Sequence, residues 1–433
     1  MQYVPAWTLI PFAIMLLMIA VVPLISEKFW ESNRNKLYCT LIVAVPIAVY
    51  MLCTGFSDEL AHQICGDYIP FIILLLSLFT VTGGIRITGN VKATPLFNTL
   101  LLFAGNTLAS FMGTTGAAML MIRPLLEVNR NRTYKTHTIL FFIALAANAG
   151  GILSPLGDPP LFLLYLRGAP FEWFLNLRQE WFMVGALLLV IYFVYDCFMY
   201  RKEPRDIQPA DNREHVAIII TGKRNFLFLG MIMAAVIFLN GQFIPAMNDE
   251  NAPFVIKCLR EIALLAVVIL SITTTPKQIR QDNNFSWQPI IEVGVLFAGI
   301  FVTMTPALLY LQAHAADLGL TEPWQFYYCT GALSSFLDNS PTAVAFHSVA
   351  TGLYPTVQEG FVAGIPEQML EAISLGAVFF GSMTYIGNGP NFMIKAIAEQ
   401  NGVRMPGFFG YMLTFSLVIL LPVYIAVQLI FLP

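Results

Sequence analysis

Charge is what this sequence lacks. Only 11% of its 433 residues are Asp, Glu, Lys or Arg, and 57% are hydrophobic. A soluble domain carries roughly 25% charged residues, so this chain cannot coat a globule of its size with polar surface. Cysteine is scarce too. The six (Cys39, Cys53, Cys65, Cys197, Cys258 and Cys329) are scattered with no CxxC pair, which argues against a disulfide framework or a thiolate metal site. The opening "MQYVPAWTLIPF" has no basic run ahead of its apolar stretch, so a cleaved signal peptide is not expected. There is no P-loop, no nucleotide motif and no HExxH helix. Tyr195–Asp196 matches the first motif of intramembrane aspartyl proteases, but no GxGD follows and "PLGD" comes earlier in the chain. An enzyme and a nucleic-acid binder are therefore not expected.

What is present is long apolar sequence. Runs near the roughly 20 residues of a membrane span occupy 4–25, 37–56, 67–88, 137–166, 181–199, 226–247, 255–276, 286–312, 368–398 and 406–432. They are continuous rather than alternating with period two, which predicts helices and not barrel strands. The fold class predicted is an all-α polytopic membrane protein with about ten full spans. Two further stretches, 94–128 and 323–354, are interrupted midway by polar, Gly or Pro residues.

Cytoplasmic loops accumulate Lys and Arg. Loop 26–36 (Lys28, Arg34, Lys36) is thus expected inside, and 57–67 (Asp58, Glu59, Asp67) outside. Stretch 94–128 begins near Arg86 and Lys92 and ends at Arg130, Arg132 and Lys135. Both its ends read as inside, making it a re-entrant hairpin around "GTTG" (113–116). The linker 200–225, with six bases including Arg205 and Arg213, reads as cytoplasmic, and so does 277–284. Segments 313–322 and 355–367 are acidic and base-free, placing both ends of 323–354 outside as a second hairpin. Both termini are expected outside.

The halves also resemble each other. "LASFMGTTGAAM" (108–119) aligns with "LSSFLDNSPTAV" (333–344), and "GGILSPLGDPPLF" (150–162) with "FGSMTYIGNGPNF" (380–392). The first half crosses five times, so the second starts from the opposite side and the repeat is inverted. The chain divides into a first repeat, 1–199, with hairpin 94–128 and broken helix 137–166; the linker 200–225; and a second repeat, 226–433, with hairpin 323–354 and broken helix 368–398. Paired interruptions in inverted halves mark a transport site near the midplane.

Two acids fall at these interruptions, Asp158 in "SPLGDPP" and Asp338 in "SSFLDNSPT". Intramembrane acids are costly and line ion or proton paths. The competing reading for each is a helix cap, before Pro159 and near Pro341 respectively. Neutral oxygens cluster beside them at Asn148, Ser154, Thr114, Thr115, Asn339, Ser335, Thr384 and Asn388. Hard cations take such oxygens together with carboxylates, so Na+ is expected at Asp338, Asp158 and Asn339. Glu292 reads as snorkelling to the inner interface, Arg86 and Arg123 as topology determinants, and His347 as a packed histidine.

At "TGGIRITGN" (82–90), "NAGGILSPLGDPP" (148–160), "SSFLDNSPTAV" (334–344) and "GSMTYIGNGPN" (381–391) the chain resembles the ion-transporter superfamily. That group includes arsenite pumps and dicarboxylate or citrate carriers; the resemblance is nearest to NhaD-type sodium/proton antiporters. The resemblance implies a homodimer in a bacterial inner membrane, an elevator-type transport domain carrying the hairpins, and exchange of Na+ or Li+ for protons with no cofactor beyond the transported ions. The alternative is an arsenite or organic-anion permease. "GTTG" departs from the Ser-Asn-Thr motif of the dicarboxylate carriers, and Pro159–Pro160 stand where the NhaD-type helix continues with threonines.

Overall fold

A computed structural model describes residues 4–204, 216–249 and 252–432; Arg205 and Arg213 of the linker lie outside the described residues. Lipid offers no partner for backbone N–H and C=O groups, so apolar sequence must satisfy them internally as helix. Among the described residues eight helices are long and apolar enough to cross a membrane: Ala6–Pro23, Asn33–Cys53, Ser57–Thr82, Pro95–Met112, Thr136–Leu153, Phe171–Arg201, Gln288–Ala313 and Phe408–Phe431. The chain is a multi-span helical membrane protein.

Eight is fewer than the ten full spans expected, and the differences have local causes. Span 226–247 shortens to Arg224–Phe238, because the Asn240 side chain accepts from Gln242 N and Phe243 N and turns the chain. Span 255–276 shortens to Leu259–Thr274, 16 residues ahead of Pro276. Span 368–398 is cut into Glu367–Phe380 and Gly389–Gln400. Its counterpart 137–166 is cut likewise, into Thr136–Ala146 and Pro159–Leu166. The expected outer loop 57–67 is helical and extends the third span. That span stops at Thr82, not 88, at Gly83–Gly84. A Cβ on these two glycines would stand 2.4 Å from Phe285 and 2.6 Å from Asn225, and Asn225 Nδ2 donates to Gly84 O at 3.0 Å. Pro95–Met112 is itself 18 residues long, so length does not distinguish a hairpin arm from a full span.

The fold is not purely α. Arg86–Asn90 pairs antiparallel with Val216–Thr221, which ties the end of the linker to the first half. Phe361–Val362 and Ile365–Pro366 form a second small ladder.

The broken helix of the first half lies deepest among the eight candidate spans. In Thr136–Leu153 83% of the window is buried, against 28% for Asn33–Cys53 and for Phe171–Arg201. Contacts also gather the loops into two ends. At one end Asn283 Nδ2 donates to Gly83 O and Ile85 O (3.1 and 2.7 Å), Arg86 pairs with Asp282, and Arg123 donates to Asp282 O at 3.2 Å. At the other, Arg167 pairs with Asp67 (3.2 Å), Trp173 donates to Glu367 (2.9 Å), and Gln242 to Glu172 (3.2 Å). Of these loops, the sequence reads the Arg86 end and 277–284 as inside and 57–67 and 355–367 as outside.

Two ion networks were not foreseen. Asp196, fully buried, accepts from Arg132 Nη1 (2.9 Å) and contacts His137 Nε2 (2.8 Å). Glu203 accepts from Thr133 N and Tyr134 N, fastening the end of Arg178–Arg201 to loop 129–135. Asp196 of the Tyr195–Asp196 pair thus belongs to a buried brace, while Tyr195 is exposed. The second is an ion pair that adds to a sequence expectation: Glu292, read as reaching the inner interface, pairs with Lys36 of the basic loop 26–36 at 2.6 Å, and the Lys36 side chain is only 4% exposed. Removing one partner of a buried pair strands the other charge, while the 37% exposure of Glu292 lets water soften the loss. Glu292→Gln is expected to cost about 1–2 kcal/mol, read as a lowered melting temperature of the detergent-purified protein.

Candidate functional site

The site grows from two places where the chain stops being helix. In the first half, "NAGGILSPLGDPP" forms a short 3-10 turn, Ala149–Leu153, and resumes as helix at Pro159. Residues before proline are pushed to extended conformations, and Asp158 sits at φ −140°, ψ 141°. In the second half Asn388 holds nearly the same geometry, φ −146°, ψ 139°, before Gly389–Pro390. Neither side chain caps the helix it precedes, so both are free to turn toward the middle.

The halves repeat one another's bonding. Ser154 donates its hydroxyl to Ser110 O, and its twin Thr384 donates to Ser335 O. Leu156 N donates to Ser154 Oγ and Ile386 N to Thr384 Oγ1, both at 3.2 Å. Each break is thereby strapped to a facing helix turn. Those turns are Gly113 (φ +81°), between Pro95–Met112 and Thr114–Val128, and Ser335–Asp338, between Pro323–Ser334 and Asn339–Leu353.

The four elements converge on Asp158, which is 1% exposed. Its Oδ1 accepts from Thr114 Oγ1 (2.7 Å) and Asn388 Nδ2 (3.2 Å), and its Oδ2 from Asn339 Nδ2. Asn388 also donates to Ala147 O (3.0 Å) and Asn148 Oδ1 (3.2 Å), so the two breaks touch. Asn148 in turn donates to Asn391 Oδ1 at 2.8 Å.

Of the residues picked out by sequence, the structure therefore brings Asp158, Thr114, Asn339, Asn388 and Asn148 together. Ser154 and Thr384 spend their hydroxyls on the straps, and Ser335 donates to its own helix at Gly331 O (2.8 Å). Thr115 is half-buried and lines an adjoining crevice. Asp338 is next in the chain to Asn339 but is only partly buried. Its Oδ1 accepts from Ser340 N at 3.0 Å, so it does cap the helix Asn339–Leu353. The capping alternative holds for Asp338 and not for Asp158. Asn391 was missed. It donates to Gly381 O (2.8 Å) and Thr384 O (3.0 Å), and its only sequence signal was a second asparagine in "GNGPN". His347 is packed as expected, with Nε2 on Ala363 O at 2.9 Å.

Every hydrogen bond to the Asp158 carboxylate found among the described residues comes from a neutral group. A buried carboxylate without a counter-charge either holds a proton or waits for a cation.

A crevice of about 80 Å³ runs from Thr114 and Thr115 past Pro159 to Phe71 and Leu74. It shares Phe79 and Pro289 with a larger cavity of about 650 Å³ at the end carrying Arg86, Arg123 and Asp282.

A family model described as "Putative citrate transport" matches residues 1–432. An uncharacterized transporter of Mycobacterium tuberculosis is 22% identical over 401 residues, covering 86% of this chain and 88% of that protein. An uncharacterized transporter of Mycobacterium bovis matches to the same extent. The "46 kDa membrane protein" of Mycobacterium leprae is 25% identical over 404 residues, with the same coverage. With eight candidate spans, two broken helices meeting at a buried acid, and a family match along nearly its whole length, the chain is a transporter rather than an enzyme and belongs to the family described as "Putative citrate transport".

Proposed function

We propose that this transporter exchanges Na+ or Li+ for protons, as NhaD-type antiporters do, with Asp158 as the exchanging carboxylate and Asp338 beside it. The observation that carries this reading is the neutral hydrogen-bond shell of the buried Asp158. Thr114, Asn339, Asn388 and Asn148 supply the neutral oxygens that hard monovalent cations prefer alongside a carboxylate. Asp338 adjoins Asn339, which donates to Asp158, and two carboxylates so placed would titrate as a pair, which suits exchange of more than one proton per cation. The matching straps at Ser154 and Thr384 support a repeat, and the sorting of loops to two ends supports its inversion. On this reading 94–128 and 323–354 are re-entrant hairpins. They move with the broken helices as an elevator, within a homodimer in a bacterial inner membrane.

A second reading is carriage of an organic anion. It is favoured by the family description and by the arginine-lined cavity. An acidic site repels a multivalent anion unless bound cations intervene, so this reading requires cation coupling.

Liposomes loaded with a pH-sensitive dye separate the two. On the exchange reading, Na+ or Li+ collapses an imposed pH gradient while citrate and arsenite alone do not. The Asp338→Asn variant is expected to fold, because asparagine caps as well as aspartate, and to lose about tenfold in exchange rate. Unchanged exchange in this variant would reduce Asp338 to a cap.

A further inference from the structure

The half-helix Pro159–Leu166 starts after the buried Asp158 and ends at Arg167. Its far end is fastened at three points, to three helices that donate no hydrogen bond to Asp158. Arg167 Nη2 pairs with Asp67 Oδ2 at 3.2 Å, on Ser57–Thr82. The Tyr165 hydroxyl donates to Val236 O at 2.8 Å, on Arg224–Phe238. The guanidinium of Arg260, on Leu259–Thr274, stands 5.7 and 5.6 Å from the ring centres of Phe162 and Tyr165, within cation–π range.

The repeat read in the sequence gives this half-helix a twin, Gly389–Gln400, and the twin is held differently. Carrying the alignment of 150–162 with 380–392 further sets Lys395 opposite Tyr165 and Ile397 opposite Arg167. Lys395 Nζ pairs with Glu399 of its own helix at 2.8 Å, and Ile397 lines the 650 Å³ cavity. The twin packs chiefly on Thr114–Val128 and Thr136–Ala146, from the first hairpin and the first broken helix. Equivalent ends therefore differ. The Arg167 end is tied to neighbouring helices, and the Ile397 end opens on a cavity. From that cavity the crevice past Phe79 and Pro289 leads to Thr114 and Pro159, beside Asp158.

We infer that Arg167 and Asp67 are the clasp of a gate. Closed as here, it holds the end of Pro159–Leu166 against Ser57–Thr82 and leaves Asp158 open to the cavity end alone; its parting exposes Asp158 to the other side. The inference deepens the reading above, since it rests on Asp158 as the transport site, and it holds whichever ion is carried. The contact is made for release. Arg167 meets Asp67 through one nitrogen, and its Nε has no partner among the described residues. An arginine serving as a fixed brace sets two nitrogens against a carboxylate, as Arg132 does at 2.9 and 2.7 Å from Asp196. When Arg167 leaves, Asp67 keeps the Gln63 Nε2 donor at 2.9 Å, so the carboxylate is not stranded without a bond. Gln63 and Asp67 lie in a π-helical stretch, Gln63–Tyr68, a departure from α geometry that is frequent at functional sites.

The test locates access to Asp158 in sealed vesicles holding the full-length protein. A charged, membrane-impermeant carbodiimide with a nucleophilic amine is applied to one side, and modification of Asp158 is read by peptide mass spectrometry. Wild type is expected to be modified at least tenfold faster from the side of loop 277–284 than from the side of loop 57–67. Asp67→Asn is expected to bring that ratio below threefold, and the exchanged pair Asp67→Arg/Arg167→Asp to restore it to within threefold of wild type. A purely structural ion pair would lower the melting temperature of Asp67→Asn and leave the ratio unchanged, and that result overturns the gate. So does equal modification from both sides in wild type, modification from neither, or a ratio that the exchanged pair leaves as low as Asp67→Asn does. Tyr165→Phe keeps every charge and removes the bond to Val236, so it decides if size exclusion shows the charge variants misfolded. Its ratio is expected to fall about threefold, and an unchanged ratio overturns the gate. The exchange reading is judged by proton movement in wild type, so either can fail without the other.

Discussion

Asp158→Asn is expected to reduce Na+-driven proton movement in liposomes by at least 100-fold, to the background of empty vesicles. The substitution keeps the side chain's size but removes the carboxylate that the proposed exchange uses. It also turns an acceptor into a donor. Thr114 Oγ1, Asn339 Nδ2 and Asn388 Nδ2 all point hydrogens at this carboxylate, and an amide NH2 there faces at least one of them. An unsatisfied buried polar group costs about 1–3 kcal/mol, so a lower melting temperature should accompany the lost flux. The double variant Asp158→Asn/Asn339→Asp moves the carboxylate across one hydrogen bond and restores donor–acceptor matching. Partial return of exchange in it would show that a carboxylate at this point is what the reaction needs. Full exchange in Asp158→Asn alone would remove the aspartate from the mechanism.

Gly157→Ala should be as damaging by a different route. A Cβ at this position would lie 2.0 Å from the carbonyl oxygen of Gly151, a backbone atom that cannot rotate away. The break must open to admit it. Gly157 O also accepts from Thr114 N at 2.7 Å, so opening the break pulls on the residue that donates to Asp158. Overpacking of this kind costs about 3 kcal/mol, and exchange should be lost even in the fraction that folds. Gly389→Ala is the control, since a Cβ there meets nothing within 4 Å; it should fold and transport normally. A Gly157→Ala protein with wild-type melting and flux would show that the break is not as rigid as drawn.

Much of this was legible in sequence. The breaks at "SPLGDPP" and "YIGNGPN" announce themselves through Gly and Pro inside apolar runs, and the twin spacing of Ser154 and Thr384 follows from the repeat. Sequence also found the neutral groups around Asp158. What it could not do was rank them. Asp338 and Asp158 look alike on paper, each an acid ahead of proline. Only the backbone geometry separates them, because one carboxylate turns back onto its own helix and the other turns away. The pairing of Glu292 was hidden for a related reason. Its partner Lys36 lies on a helix more than 250 residues earlier, and no local pattern reports such a pairing. The Asp196 brace escaped likewise, since its members come from 98–137 and 192–203. The two small ladders were hidden because strands of two to six residues leave too short a pattern to read.

The ladder between Arg86–Asn90 and Val216–Thr221 sets an order on biogenesis. Arg86 is opposite Thr221, 135 residues later, so at roughly 5–20 residues per second of synthesis its partner appears on the order of ten seconds after it. Until then the candidate spans Pro95–Met112, Thr136–Leu153 and Phe171–Arg201 must be made and packed while one strand waits unpaired. A ribosome stalled before residue 216 should therefore hold a first half whose basic end is still unfastened, and protease sites near 86–90 that are protected in the finished protein should be cleavable in it.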